Sequence, residues 1–494
     1  MIIKINGDIN RYYVQTLCMI YYPGAKFTDE IEDDGTPELD VSLLHKDTYC
    51  EATAIATING NSYTSVKRAE YTDYHEPDRS AKIAVGQAVA TVLGEIVSYK
   101  PSWGILTGVR PSKVASEYLN MGMSKTKVRK ILHSDYFVIP KKATLATDVA
   151  ITEKKIIGSP DKKDCSVYIS IPFCPSKCSY CSFVSYSSKK LLSLIPEYLE
   201  RLKADVVANL TLIKKLGLNL KTLYIGGGTP TILSEKELSD LLSTVSDNID
   251  VDKLEEYTLE AGRPDTITAE KFEIAKMHGV TRVSVNPQSL CPDVLSRIGR
   301  HHSASDFYRA YNIAVNSGIK YINTDLIIGL PGDNFKTFSA TFDEILSLDP
   351  ANITVHTFCV KKSADILRSG AEVYSMRGGD AGKCVDYSQI KSAQAGYIPY
   401  YMYRQKKTVG NFENVGFAKP GAEGIYNIHM MEETHSIFAI GAGAVTKLVK
   451  LSDGNEKTKI TRLFNQKYPY EYLSENKSEE MLKEIERFYT EEVL

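Results

Sequence analysis

Cys174, Cys178 and Cys181 fall within eight consecutive positions of the stretch "IPFCPSKCSYCSF", residues 171–183. Three thiolates so spaced can hold three irons of a 4Fe–4S cluster, whereas the usual complement of four closes it. A cluster with three protein ligands keeps one iron open, and an open coordination site marks a reactive centre rather than a structural one. The competing reading is zinc completed by a histidine or a remote cysteine. Zinc ribbons carry a second CxxC knuckle, and this chain has none. The other six cysteines (Cys18, Cys50, Cys165, Cys291, Cys359 and Cys384) are scattered and read as small buried hydrophobes.

Residues downstream suggest a ligand cradle. In "YIGGGTPT", Gly226, Gly227 and Gly228 precede Thr229; without a Cβ, backbone can approach a ligand closely, although many such runs are only tight turns. Glu260 in "TLEAGRP" is an acid just after a β-rich run, and its plain reading is a rim salt bridge. Gln288 in "VNPQSL" and Arg300 in "IGRHHS" lie twelve residues apart. Asp325 sits inside "NTDLIIGLPG", where an unpaired carboxylate is expensive to bury.

These side chains need strands to carry them. From Cys165 to about residue 360, β-rich stretches ("SVYISIP", "TLYIGG", "EYTLEA", "RVSVNP", "YINTDLIIGLP", "NITVHTF") alternate with helical patterns at about 191–217, 235–247, 268–278, 304–317 and 336–348. Strands alternating with helices predict βαβ units and a parallel sheet. Six repeats without a dinucleotide fingerprint favour an α/β fold of partial (β/α)6 TIM-type barrel, whose site lies at the C-terminal strand ends. Residues 1–160 read as an N-terminal α+β accessory domain: short alternating stretches of a small antiparallel sheet to about 75, then helices over 80–97 and 109–122. A charged, Pro- and Gly-bearing stretch leads to a boundary near 160. The barrel then occupies 161–360, and 361–494 reads as a C-terminal substrate-covering domain of Tyr- and Gly-rich turns and a charged helix.

The cysteine loop resembles that of the radical S-adenosylmethionine (SAM) superfamily, in which SAM chelates the open iron and is cleaved to a 5′-deoxyadenosyl radical. The further residues resemble the oxygen-independent coproporphyrinogen III dehydrogenase branch over about residues 160–450. The flanks "PSWGILTGVRPSKV", "YMYRQKKTVGNFENVGFAKPG" and "MEETHSIFAIGAGAVTK" extend the resemblance to the HemZ branch. It implies two cofactors, a 4Fe–4S cluster on Cys174, Cys178 and Cys181, and SAM. The SAM would be bound by Tyr168, Gly227, Gly228, Thr229, Glu260, Gln288, Arg300 and Asp325. The implied reaction is oxidative decarboxylation of coproporphyrinogen III propionates. The implied partners are a tetrapyrrole and an electron donor such as a flavodoxin or ferredoxin. Two positions depart from the best-known dehydrogenases: Phe183 stands where they have a further cysteine, and Ser170 where they have a histidine. The change at 183 is shared with the heme-chaperone branch, so a heme carrier, or a methyltransferase that opens heme, stays in contention.

A substrate with several carboxylates calls for cations, and arginine can bind them bidentately. Arg404, Lys406 and Lys407 in "YRQKK", with Lys361 and Lys362, are the candidates; the plain alternative is a solvated surface cation. "YIPYYMY" offers aromatic faces for a tetrapyrrole, and His301, His302, His429 and His435 are possible axial ligands to a carried heme. Globally, 59 Lys and Arg nearly cancel 61 Asp and Glu, so no field points to nucleic acid or anionic lipid. No signal-peptide pattern or bilayer-length apolar run is read, and the expected location is cytoplasmic.

Overall fold

Each β-rich run of the central region becomes a strand because its odd and even positions serve different faces, a periodicity of two that only a pleated strand satisfies. The computed structural model describes residues 1–28, 37–359, 379–405, 408–452 and 458–493. Contacts divide the chain into two compact units, Met1–Ile151 with Met402–Lys406, and Thr152–Tyr401 with Lys407–Leu494.

The first unit is built on four strands, β1 (Ile2–Asn6), β2 (Glu38–His45), β3 (Tyr49–Ile58) and β4 (Asn61–Glu70), in the order β1-β2-β3-β4. The sheet is antiparallel except at its first pair, where β1 runs parallel to β2. A helix over Arg11–Tyr21 makes that crossover, which the sequence reading missed. Asn10 caps it by accepting from the Tyr13 N–H, and Val14, Leu17, Cys18 and Tyr21 form its buried stripe. The helix Pro77–Val97 packs on β3 and β4. It is long and apolar enough to cross a membrane by length and composition, contrary to expectation, but 61% of its apolar window is buried in the protein. A core helix on a sheet passes the same test. Residues 137–157, read as part of a charged boundary, instead hold a helix over Pro140–Ile157.

The second unit carries β5 (Asp164–Ile171), β6 (Asn219–Gly227), β7 (Glu256–Leu259), β8 (Arg282–Ser284), β9 (Tyr321–Ile328), β10 (Asn352–Thr357), β11 (Ile398–Arg404), β12 (Glu413–Ala418), β13 (Ser436–Ile440), β14 (Val445–Lys450) and β15 (Lys459–Phe464). Strands β5 to β10 pair in sequence order and in parallel, with crossover helices at Ile195–Lys215, Glu235–Ser246, Ala269–Met277 and Ala304–Asn316. Side-chain caps at Ser234 and Ser303 fix where two of these helices begin. The later strands extend the same sheet: β13 lies parallel beside β5 and β12 antiparallel beside β10. Where the sequence reading set a separate C-terminal domain from 361, the chain therefore adds to both edges of the central sheet.

Register sorts the side chains of β5–β10 into two unlike faces. Tyr168, Tyr224, Thr258 and Arg282 are aligned neighbours on one face, and Ser284, Asn323 and Asn352 are aligned further along it. Positions between them, such as Val167, Leu223, Leu259, Val283, Leu326 and Ile353, are fully buried apolar side chains on the other. The interior of a (β/α)8 barrel is ordinarily filled by branched apolar residues. Here one face of the sheet is polar along its whole width, an arrangement suited to a polar ligand rather than to a dry core.

Candidate functional site

The cysteine loop leaves β5 at Ile171 and is pinned on three sides. Cys174 N–H donates to the Tyr186 carbonyl (3.0 Å) and Tyr186 N–H to that of Pro172 (2.9 Å), closing the loop on itself. Thr229 N–H donates to the Phe173 carbonyl (2.8 Å), and Ser179 N–H to Ile298 (3.0 Å). Thr229 Oγ1 donates to Cys174 Sγ (3.3 Å).

Arg263 supplies the third anchor. Its Nη1 donates to the Ser176 carbonyl (3.2 Å) and hydroxyl (2.9 Å) and lies 3.9 Å from Cys178 Sγ. Its other edge grips Asp265 bidentately, at 3.0 and 2.8 Å. Burial pushes the Cys174 and Cys181 thiols up, and each responds to other cysteines of the loop. Metal must therefore displace protons as it binds. Among the described residues no three His, Cys, Asp or Glu side chains converge as a single metal ion requires. A cubane, which takes each thiolate on a different iron, fits three spaced thiols on one pinned loop better than one zinc does.

The polar face supplies the rest. Glu260 follows β7 and accepts from the Gly227 N–H and the Tyr224 hydroxyl; burial, with the Asp325 carboxylate facing it, nonetheless pushes it up to about 7. Gly226 is what lets it sit there, since a Cβ on Gly226 would lie 2.6 Å from Glu260 Oε2. Gly228 has a similar task, because its Cβ would stand 2.5 Å from the Phe173 carbonyl. The glycines thus admit the protein's own carboxylate and loop, beyond any ligand. Tyr168, Tyr224 and Tyr426 stack: Tyr224 lies 4.6 Å from Tyr426 and 6.0 Å from Tyr168.

Asp325 is half-buried on β9. Asn286 Nδ2 donates to its Oδ2 (2.8 Å), and His356 Nε2 lies 3.8 Å from the same oxygen. Gln288 takes a left-handed backbone (φ 64°) and pairs through its N–H with the Asp325 carbonyl (3.1 Å). Its side-chain Oε1 is buried without a hydrogen-bond partner among the described residues, a cost kept where a ligand can satisfy it. Arg300 is buried; Nη1 donates to the Asn286 carbonyl (2.8 Å) and Nη2 to Tyr180 Oη (3.2 Å) on the cysteine loop.

The structure thus gathers Tyr168, Glu260, Gln288, Arg300 and Asp325 around the loop and glycines named from the sequence. Arg404 is elsewhere. It is 4% exposed in the first unit, where Nη1 donates to the Leu106 carbonyl (2.6 Å) and the guanidinium lies 5.6 Å from the Trp103 ring. Its charge is engaged inside the protein, which disfavours a carboxylate clamp there. Lys361, Lys362, Lys406 and Lys407 lie outside the described residues. Of the histidines, His302, His429 and His435 are buried and His301 is exposed. Sequence reasoning missed Tyr224, Tyr426, Arg263 and Asn286. Tyr224 and Asn286 could have been found from period two, each standing two residues before a named position on the same face.

Comparison with known proteins agrees with this geometry. The Radical SAM superfamily profile matches residues 168–345. The oxygen-independent coproporphyrinogen-III oxidase-like protein HemZ of Bacillus subtilis (strain 168) is 33% identical, over 99% of both chains. The heme chaperone HemW of the same organism is 31% identical, over 65% of this chain and 81% of its own. The solved coproporphyrinogen III oxidase HemN of Escherichia coli shares the fold, with TM-score 0.51 and 19% identity over 67% of this chain and 73% of its own. The chain belongs to the HemZ family of the radical SAM superfamily. Its cofactors are those of that superfamily, a 4Fe–4S cluster and SAM.

Proposed function

We propose that this protein oxidatively decarboxylates the propionates of coproporphyrinogen III to vinyls, giving protoporphyrinogen IX. The observation that carries the reading is the full-length similarity to a coproporphyrinogen-III oxidase-like relative. In this reading Cys174, Cys178 and Cys181 hold three irons, and Thr229 and Arg263 hold the loop in place. When bound, the cluster and SAM supply a 5′-deoxyadenosyl radical that takes a hydrogen atom from the substrate. The protein's own work is positioning. Glu260, Asp325 and the free Gln288 Oε1 accept hydrogen bonds from the ammonium and hydroxyl groups of SAM, and Arg300 places positive charge beside its carboxylate. The stacked tyrosines hold Glu260 in place and keep water away from its buried side.

A second reading rests on the HemW similarity, a protein named as a heme chaperone: the same site would then accompany heme carriage without turnover. Anaerobic incubation with coproporphyrinogen III, SAM and a reductant separates the two. The expected result is one carbon dioxide released and one SAM consumed per propionate, with the vinyl product seen by mass spectrometry. Coproporphyrinogen recovered unchanged, while heme binds stoichiometrically or is converted to a methylated, ring-opened product, would overturn the reading.

A further inference from the structure

The cysteine loop presents Phe183, two residues from Cys181, at 75% exposure, the highest of any large hydrophobic side chain among the described residues. One exposed ring is unremarkable on a protein surface, but Phe183 is not isolated. Tyr186 on the same loop lies 5.6 Å from Tyr468, which stacks on the half-exposed Tyr470 at 5.3 Å. Tyr186 Oη donates to the Lys467 carbonyl (3.2 Å), joining the loop to this aromatic run. The rim is cationic. From residue 165 to 196 the sequence holds three lysines (Lys177, Lys189 and Lys190) and no acid. Lys189, Lys190 and Lys467 are exposed, and Lys467 reaches over the Tyr468 ring. The acid facing the run, Glu471, caps its own helix by accepting from the Tyr468 N–H (3.4 Å).

An aromatic centre with a charged rim is the composition of a protein interface, and electron-transfer encounters are small and steered by complementary charge. We propose that this surface docks an acidic one-electron donor, a flavodoxin or a ferredoxin, against the loop that carries the cluster ligands. The inference rests on the radical SAM reading above. In the step it serves, the donor loses one electron and the cluster gains it, and no bond forms or breaks.

The test titrates a purified acidic flavodoxin into the anaerobically reconstituted protein, into Phe183→Ala and into the double variant Lys189→Glu with Lys190→Glu. The expected result is a dissociation constant raised at least tenfold in each variant, and parent binding that weakens as salt rises. Flavodoxin-supported SAM cleavage should slow in parallel, while dithionite-supported cleavage stays at the parent rate. Unchanged affinity for both flavodoxin and ferredoxin would overturn the assignment. So would equal loss with dithionite, or a Phe183 that instead governs self-association or binding to anionic vesicles. A parent protein that cleaves no SAM with dithionite would sink the functional reading alone, because donor affinity is measured independently of turnover.

Discussion

Glu256 and Glu260 stand four residues apart on the same face at β7, yet their surroundings are opposite. Glu256 is fully buried against Arg282 (3.1 Å), and it also accepts from the backbone of Ile425 (2.8 Å) and from the Thr258 hydroxyl (3.0 Å). Arg282 in turn donates to Asn323 (2.7 Å) and to the Ala422 and Glu423 carbonyls. Every charge there is answered by the chain itself, and the pair caps the helix Ile425–Glu432 that brings Tyr426 onto Tyr224. Glu260 faces a second carboxylate, Asp325, and its ordinary value is pushed up to about 7. Close by, Gln288 Oε1 has no hydrogen-bond partner among the described residues. A satisfied buried charge is scaffold; an unsatisfied one on the same face is a place for a ligand.

The largest expected effect lies in the scaffold. Arg282→Met should cost about 3–5 kcal/mol, because it strands Glu256 as an uncompensated buried charge. Pairing it with Glu256→Gln should recover part of that loss. Chemical denaturation of the two variants decides the matter, and a single variant no less stable than the double would break the contrast.

Glu260 should behave in the reverse sense. Its carboxyl is protonated in both folded and unfolded chains below about pH 4.5; as pH rises the unfolded chain ionises first. A raised value in the folded state therefore favours folding at low pH, and that advantage is lost as pH climbs through about 7. Without cofactor, Glu260→Gln should gain stability over the parent at pH 8 by up to about 3 kcal/mol, with the gain gone by pH 4. Stability curves that stay parallel from pH 4 to 8 would mean that Glu260 is as well answered as Glu256.

Much of this was legible in the sequence, and the part that was not has physical causes. The six parallel strands announced themselves as β-rich runs between amphipathic helices, and the cysteines by spacing alone. Glu260, Gln288, Arg300 and Asp325 could be named because each follows or interrupts such a run. Tyr224 and Tyr426 could not, since a tyrosine in a strand or helix reads as ordinary packing until register shows what it stacks on. The partner of Glu256 is equally silent: Arg282 lies 26 residues away, and only the parallel pairing of β7 with β8 brings the two together. The C-terminal strands were obscured by Tyr- and Gly-rich turns. Arg404 shows the limit of reasoning from charge, because the same guanidinium that suits a carboxylate can stack on Trp103 and cap a carbonyl.

The central claim, that the unanswered end of the polar face is the SAM site, is tested most directly by calorimetric titration of SAM into anaerobically reconstituted parent and Asp325→Ala. The account predicts affinity at least tenfold weaker in the variant, about 1.4 kcal/mol, with iron content unchanged because the cluster needs only Cys174, Cys178 and Cys181. Equal affinity at equal iron content would contradict it.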